Sequence, residues 1–359
     1  MTTVTNPAAP APAPAAAGPP GWSVVTRVGS VPAGRRRLRY AAGRVIVYLF
    51  MVWVTVTVVF ALPRLLPGDP LESRTDINGS MSPERHAALT ATYHLDRPLV
   101  TQYRTYLTGL VHGDFGVSIA RDVPVGTLLR QTMPWTLLLV GAAIVLSSAV
   151  GFAAGTGAAW KRGGRTDREL LIGMTVLNAV PEYVLAVVLL IVFVAVIPVA
   201  PIGGGATPFT QSYGILWKMQ DVGRHLALPV FALSLGMMAT KFLLVRNTTV
   251  GELGQEYMVA ARAKGLSPRR MRYRHAGRNV LLPFVTVVGL QVAFAAGGAL
   301  FVETVFAYPG VASIMLPAVN QLDFPVIEAT FTILAVTVLT ANLVVDLLYA
   351  RLDPRVATA

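Results

Sequence analysis

Residues 256–283 read EYMVAARAKGLSPRRMRYRHAGRNVLLP, Glu256 to Pro283, and carry seven Lys or Arg residues between two long apolar runs. The local grammar is that of two short helices meeting at a tight turn. Ala260, Ala261 and Ala263 are strong helix formers within the stretch from Gly254 to Lys264. Gly265 stands where a left-handed residue closes a helix. Ser267 follows as an N-cap, with Pro268 at the first helical position, where a missing N–H costs nothing. Leu266 and Met271 bracket that cap as a hydrophobic staple. Spacing of i, i+3, i+4 and i+7 predicts one face holding Tyr257, Ala260, Ala261 and Lys264, small enough for another surface to approach the backbone, with Glu256 at its front. The second helix turns Arg269, Arg270, Arg272 and Arg274 towards a membrane surface, where anionic lipid attracts each by about 1 kcal/mol.

What surrounds the block decides where it lies. Of 359 residues, 54% are hydrophobic and 13% charged, about half the charged fraction of a soluble domain. Apolar runs of bilayer-crossing length fall near Val45–Leu62, Trp135–Ala158, Leu170–Val196, Leu226–Leu244, Leu281–Val302 and Ala329–Leu348. The third contains Pro181 and reads as one kinked helix, since neighbouring helices can satisfy the freed carbonyl. The expectation is an all-α, polytopic membrane protein with six transmembrane helices. The side holding the N-terminus, loop 159–169, loop 246–280 and the C-terminal tail carries twenty Lys and Arg; the opposite side carries nine. By the positive-inside rule both termini are cytoplasmic, N-in and C-in. The net charge of +12 is then mostly this asymmetry, which argues against a nucleic-acid partner.

Residues 1–40 read as a disordered Pro/Ala-rich stretch followed by a basic cytoplasmic tail with Arg35, Arg36, Arg37 and Arg39. A signal peptide is the competing reading of this opening, but the basic region lies far from the start and the apolar run is long for a signal core. Residues 41–356 form the transmembrane domain, with an external segment at 63–134, a cytoplasmic loop at 246–280 and a short tail at 357–359. Within the external segment, helices are expected around Ser82–Tyr93 and Gln102–Leu110. Lys241 and Asp346 fall towards cytoplasmic helix ends and suggest a structural pair, or snorkelling of Lys241. The small residues of the fifth span, Ala295 to Ala299 among them, favour close helix packing.

The chain has no cysteine, no metal-ligand spacing among its five histidines, and no Gly-Lys dipeptide on which a phosphate-binding loop could be built. No catalytic, cofactor or metal site is therefore expected. Physics alone leaves the basic loop open between a lipid-bound amphipathic element and a docking site for a cytoplasmic partner. A DNA-reading helix-turn-helix is disfavoured, because spans on both sides tie the loop to the bilayer.

Glu256-Tyr257, Ala260-Ala261, Ala263 and Gly265, followed by His275 and Pro283, resemble the EAA motif of permease subunits of binding-protein-dependent ABC importers. ARAKGLS and RHAGRNVLLP, with LLPGDP (Leu65–Pro70), HLDRPLVTQY (His94–Tyr103), HGDFGVS (His112–Ser118), VETVFAYPG (Val302–Gly310) and DLLYARLDPR (Asp346–Arg355), are similar to the dipeptide, oligopeptide and nickel permease family, from about Tyr40 to Val356. The resemblance implies a type I importer permease fold in a bacterial plasma membrane. It also implies a second homologous permease subunit, an extracytoplasmic solute-binding protein and two P-loop ATPase subunits, which would bind ATP and Mg and seat on a coupling helix. Carried over, Glu256, Tyr257, Ala260, Ala261, Gly265, Ser267, Arg269 and Arg270 form that coupling element. One departure stands out: many relatives have Ser-Phe after the third-span proline, where this chain has Pro181-Glu182-Tyr183. Glu182 is either a satisfied partner at the kink or a pathway residue favouring cations such as a peptide amino terminus. Di- or oligopeptides lead as cargo, with nickel or another small solute as the alternative; an ion-gradient-driven secondary transporter is the rival class.

Overall fold

Ala33–Leu65 form one continuous helix, α1, in the computed structural model, which describes residues 33–71, 81–208 and 214–352. The expected disordered opening up to residue 32 lies outside the described residues, as do residues 353–359. The basic patch Arg35–Arg39 is helical, within the first turns of α1. Further elements are α2 (Pro83–Thr92), α3 (Leu99–His112), α4 (Val125–Trp160), α5 (Arg165–Ala179), α6 (Glu182–Leu190), α7 (Ile215–Leu253), α8 (Glu256–Ala263), α9 (Pro268–Arg270), α10 (Gly277–Val305), α11 (Ala312–Asn320) and α12 (Phe324–Leu352). Extended pairing among the described residues amounts to one isolated bridge, Val117 with Pro124. Helices α2 and α3 stand close to where the sequence places them.

Four helices, α1, α4, α7 and α12, are each long and apolar enough to cross a membrane unbroken. Two further elements pass only as bent pairs, giving up to six spans. The α10 pair bends by 58° between Val292 and Gly297, ahead of the Gly297-Gly298 pair. The α5–α6 pair diverges by 102° at Val180 and Pro181. The expected kink in the third span is thus a full break. Proline removes an N–H and forces the residue before it out of the helical region, and Val180 is extended accordingly (φ −88°, ψ 127°).

The core gathers α4, α6, α7 and α10 around Leu139, Ala143, Ala186, Leu233, Met237, Ala299 and Phe306. The most extensive helix pairing among the described residues is α4 with α7, and glycine permits its close approach. A Cβ at Gly151 would lie 2.9 Å from Lys241 Cβ, and one at Gly155 2.9 Å from the Phe242 carbonyl oxygen and 3.0 Å from Val245 Cβ. Lys241 is fully buried in this seam; its ammonium donates to Ser147 Oγ at 2.6 Å and the Ile144 carbonyl at 3.5 Å. It therefore neither snorkels nor pairs with Asp346, which meets Arg44 of α1 instead, at 3.2 Å. Gly155→Val should overpack the seam at a cost of about 1–3 kcal/mol. The check is a lower midpoint in thermal unfolding of the purified protein; an unchanged midpoint would mean that the seam is loose.

At the end opposite the basic loops, three buried carboxylates fasten the connections. Asp323 accepts hydrogen bonds from Ser118 Oγ (2.5 Å) and the backbone N–H groups of Ile119 (3.0 Å) and Ala120 (3.3 Å). Glu303 accepts from Thr136 Oγ1 (2.5 Å) and the Ala312 N–H (2.9 Å) and fills the space where Gly310 lacks a Cβ. Glu328 of α12 pairs with Arg64 at the end of α1. HGDFGVS and VETVFAYPG, two of the motifs that carry the resemblance, are thereby explained as packing devices.

Candidate functional site

The basic loop folds as its sequence predicts, with one change of face. Eight residues form α8, and the chain closes it at Gly265 in the left-handed region (φ +71°). The Gly265 N–H reaches the Arg262 carbonyl at 3.0 Å and the Leu266 N–H the Ala261 carbonyl at 3.3 Å, the paired bonds of a Schellman close. Ser267 takes the extended N-cap conformation (φ −62°, ψ 145°), with Pro268 first in the next turn. Its hydroxyl makes no capping bond: α9 lasts three residues before the chain widens into a π-helical stretch, Met271–Ala276, that runs on into α10. Leu266 and Met271 do meet, in a cluster with Met258, Trp160 and Leu253.

Glu256, Ala260, Gly265, Ser267, Arg269 and Arg270 are all exposed. Ala261 is not: at 6% exposure it points into that cluster with Met258. Consecutive residues on a helix lie about 100° apart, and burial of Met258 and Trp160 fixes the rotation of α8. The outer face is therefore Tyr257, Ala260 and Lys264, while Ala261 is the seat beneath it. This corrects the four-residue stripe expected from spacing.

Tyr257 has a second task. Its hydroxyl donates to Glu252 Oε2 at the end of α7, and Asn279 Nδ2 at the start of α10 donates to the same carboxylate oxygen (2.9 Å) and to the Tyr257 oxygen (3.1 Å). Burial, then the hydrogen bond and charge of Glu252, push the Tyr257 phenol up to about 12, so it stays protonated at neutral pH. The loop is braced to both flanking helices. Asp167 adds a brace that the sequence reading missed: it takes a two-pronged contact from Arg246 (2.7 and 2.8 Å), with the Gly163 N–H as a further donor (3.0 Å), and so ties the loop after α4 to α7. The only sequence signal for it is an acidic residue in the first turn of α5.

Glu182 is remote from this loop, at the break between α5 and α6, beside a cavity shared with α7 and α10. The structure thus separates the two candidate sites named from the sequence.

Residues 149–358 match the family described as binding-protein-dependent transport system inner membrane component. The chain is 34% identical over 320 residues to a Brucella ovis protein named as a peptide permease, covering 89% of this chain and 99% of that one. It is 33% identical over 314 residues to the dipeptide transport system permease of Escherichia coli K12, covering 83% and 92%, and 32% identical over 319 residues to that of Bacillus subtilis, covering 89% and 97%. The chain belongs to the family of binding-protein-dependent transport system inner membrane components, as a non-enzymatic ABC-transporter permease of the bacterial plasma membrane.

Proposed function

We propose that the chain forms half of the translocation pathway of an ATP-driven importer of di- or oligopeptides and takes its drive through Glu256–Arg270. The observation that carries this is α8: a short exposed helix with a small outer face at Ala260, closed by a left-handed glycine and braced to two spans by Tyr257. A helix so placed offers a partner a surface to hold and transmits displacement. The partner fitting the family is a pair of P-loop ATPase subunits, which would hold ATP and Mg; a second homologous permease would complete the pathway. Glu256, Ser267, Arg269 and Arg270 would contact the ATPase, and Ala261 would support the helix from below. With both termini cytoplasmic, residues 63–134 face the binding protein that delivers the peptide. ATP shifts such a machine only if the ATPase pair prefers one permease conformation, since equal affinity shifts nothing.

The relatives' names supply the cargo class. The test is reconstitution of this chain with the permease, ATPases and binding protein encoded beside it. ATP-dependent accumulation of a dipeptide is expected; accumulation by this chain alone under a proton gradient would overturn the proposal. Tyr257→Phe should keep the fold but loosen the brace, lowering peptide-stimulated ATP hydrolysis several-fold, up to about tenfold for one lost hydrogen bond. Unaltered stimulation would show that the brace does not transmit.

A further inference from the structure

Glu303, Asp323 and Glu328 are buried carboxylates, and each has donors. Glu182 differs. It begins α6 at the 102° break, and no hydrogen bond or ion pair reaches it among the described residues. Broken backbone at membrane depth persists where it is enclosed by protein or faces a watery cavity, and an ionisable side chain there is costly to keep without use. A cavity of about 430 Å³ opens at this point, and Asn178, Glu182, Thr240 and Gln291 supply its polar wall, with Met237 and Phe294 among its apolar lining. No Lys, Arg or His lines it.

Two neighbouring helices leave bare backbone for the carboxylate. A Cβ at Gly236 of α7 would stand 3.3 Å from Glu182 Oε1, and one at Gly298 of α10 would collide with Oε2. The cavity has a second unsatisfied acceptor. Gln291 is 9% exposed, its amide N–H donates to the Met237 carbonyl at 3.3 Å, and its own carbonyl oxygen is buried without a donor. The Asn178 carbonyl, by contrast, is satisfied by the Thr240 hydroxyl at 2.9 Å. A site with a carboxylate, an orphan carbonyl and no cation lacks a positively charged group bearing several N–H donors.

We propose that this cavity is a subsite for the primary ammonium group of the transported solute, with Glu182 taking its charge and Gln291 Oε1 one of its hydrogen bonds. The volume suits an amino-terminal residue. The inference rests on the importer reading and adds the group that the permease itself recognises. Gly236 and Gly298 become specificity determinants at one remove, because they keep the berth of the carboxylate open.

The chain has no native cysteine, so Thr240→Cys in the reconstituted complex gives one reporter on this chain at the cavity wall. The probes are Ala-Ala and N-acetyl-Ala-Ala, and the readout is the rate at which maleimide modifies the chain. Ala-Ala should slow modification and N-acetyl-Ala-Ala should not. Adding Glu182→Gln should raise the Ala-Ala concentration for half-protection about tenfold, the weight of one charge-assisted hydrogen bond. Gly298→Ala, which retains the carboxylate but closes its berth, should do the same and covers the case in which Glu182→Gln fails to assemble. Equal protection by both peptides, or protection unchanged in both variants, overturns the subsite while ATP-driven Ala-Ala uptake by the wild-type complex stands. Absence of that uptake removes the importer reading and the subsite with it.

Discussion

Gly265→Val should leave the transporter assembled in the membrane and cut ATP-driven peptide uptake by about tenfold or more, the effect of roughly 1–3 kcal/mol of backbone strain at one residue. Beyond the residue's own chain neighbours, no atom lies within 4 Å of the position a Cβ would take, so packing against the rest of the molecule contributes nothing there. What the substitution meets is φ = +71°, where a β-branched side chain clashes with its own peptide units. The strain is relieved by opening the Schellman close, which frees the Arg262 and Ala261 carbonyls and lets α8 swing away from the cluster of Met258, Met271 and Trp160. Gly265→Asn is the control, because asparagine tolerates the left-handed region; it should retain most of the uptake. Copurification of the ATPase subunits with both variants is to be measured beside uptake. Normal uptake by Gly265→Val would show that the geometry of the turn is immaterial to coupling.

That turn was legible in the sequence because everything deciding it is local: alanines, a glycine, a serine-proline pair and a staple lie within a dozen residues. The rotation of α8 was not. Trp160, about a hundred residues away, packs in the cluster that Ala261 faces, and no periodicity within eight residues encodes it. The same distance hid Asp323 and Ser118, which are 205 positions apart, and Thr136 and Glu303, 167 apart. Nothing in the residues beside these acids names their partners. Pro181 announced a kink in the third apolar run, but nothing local to it gives the 102° turn or shows that Glu182 comes to lie against Gly236 and Gly298. Lys241 misled for a related reason: position near a helix end suggests snorkelling, and only the packing of Gly151 and Gly155 against α7 shows the ammonium to be enclosed.

Arg64 and Glu328 should yield the largest stability effect in the molecule, and one that single substitutions misstate. The pair joins the end of α1 to α12 with side chains 17% and 8% exposed, and the guanidinium also reaches Gln102 Oε1 of α3 (3.3 Å) and the Phe60 carbonyl (2.5 Å) while resting 3.5 Å from the Phe60 ring centroid. Glu328→Leu removes the only carboxylate facing that guanidinium among the described residues and leaves a part-buried cation with neutral acceptors, a loss of up to about 3 kcal/mol. Arg64→Leu should cost a similar amount by stranding Glu328. Taking two charges out of water consumes most of what their attraction returns, so the double variant should lose far less than the two singles combined. A double-mutant cycle on thermal unfolding of the purified protein decides it. Additive losses would mean that each side chain acts through its own contacts, Arg64 through Gln102 and Phe60. Strong coupling would make the pair the fastening that holds α1 and α3 on α12.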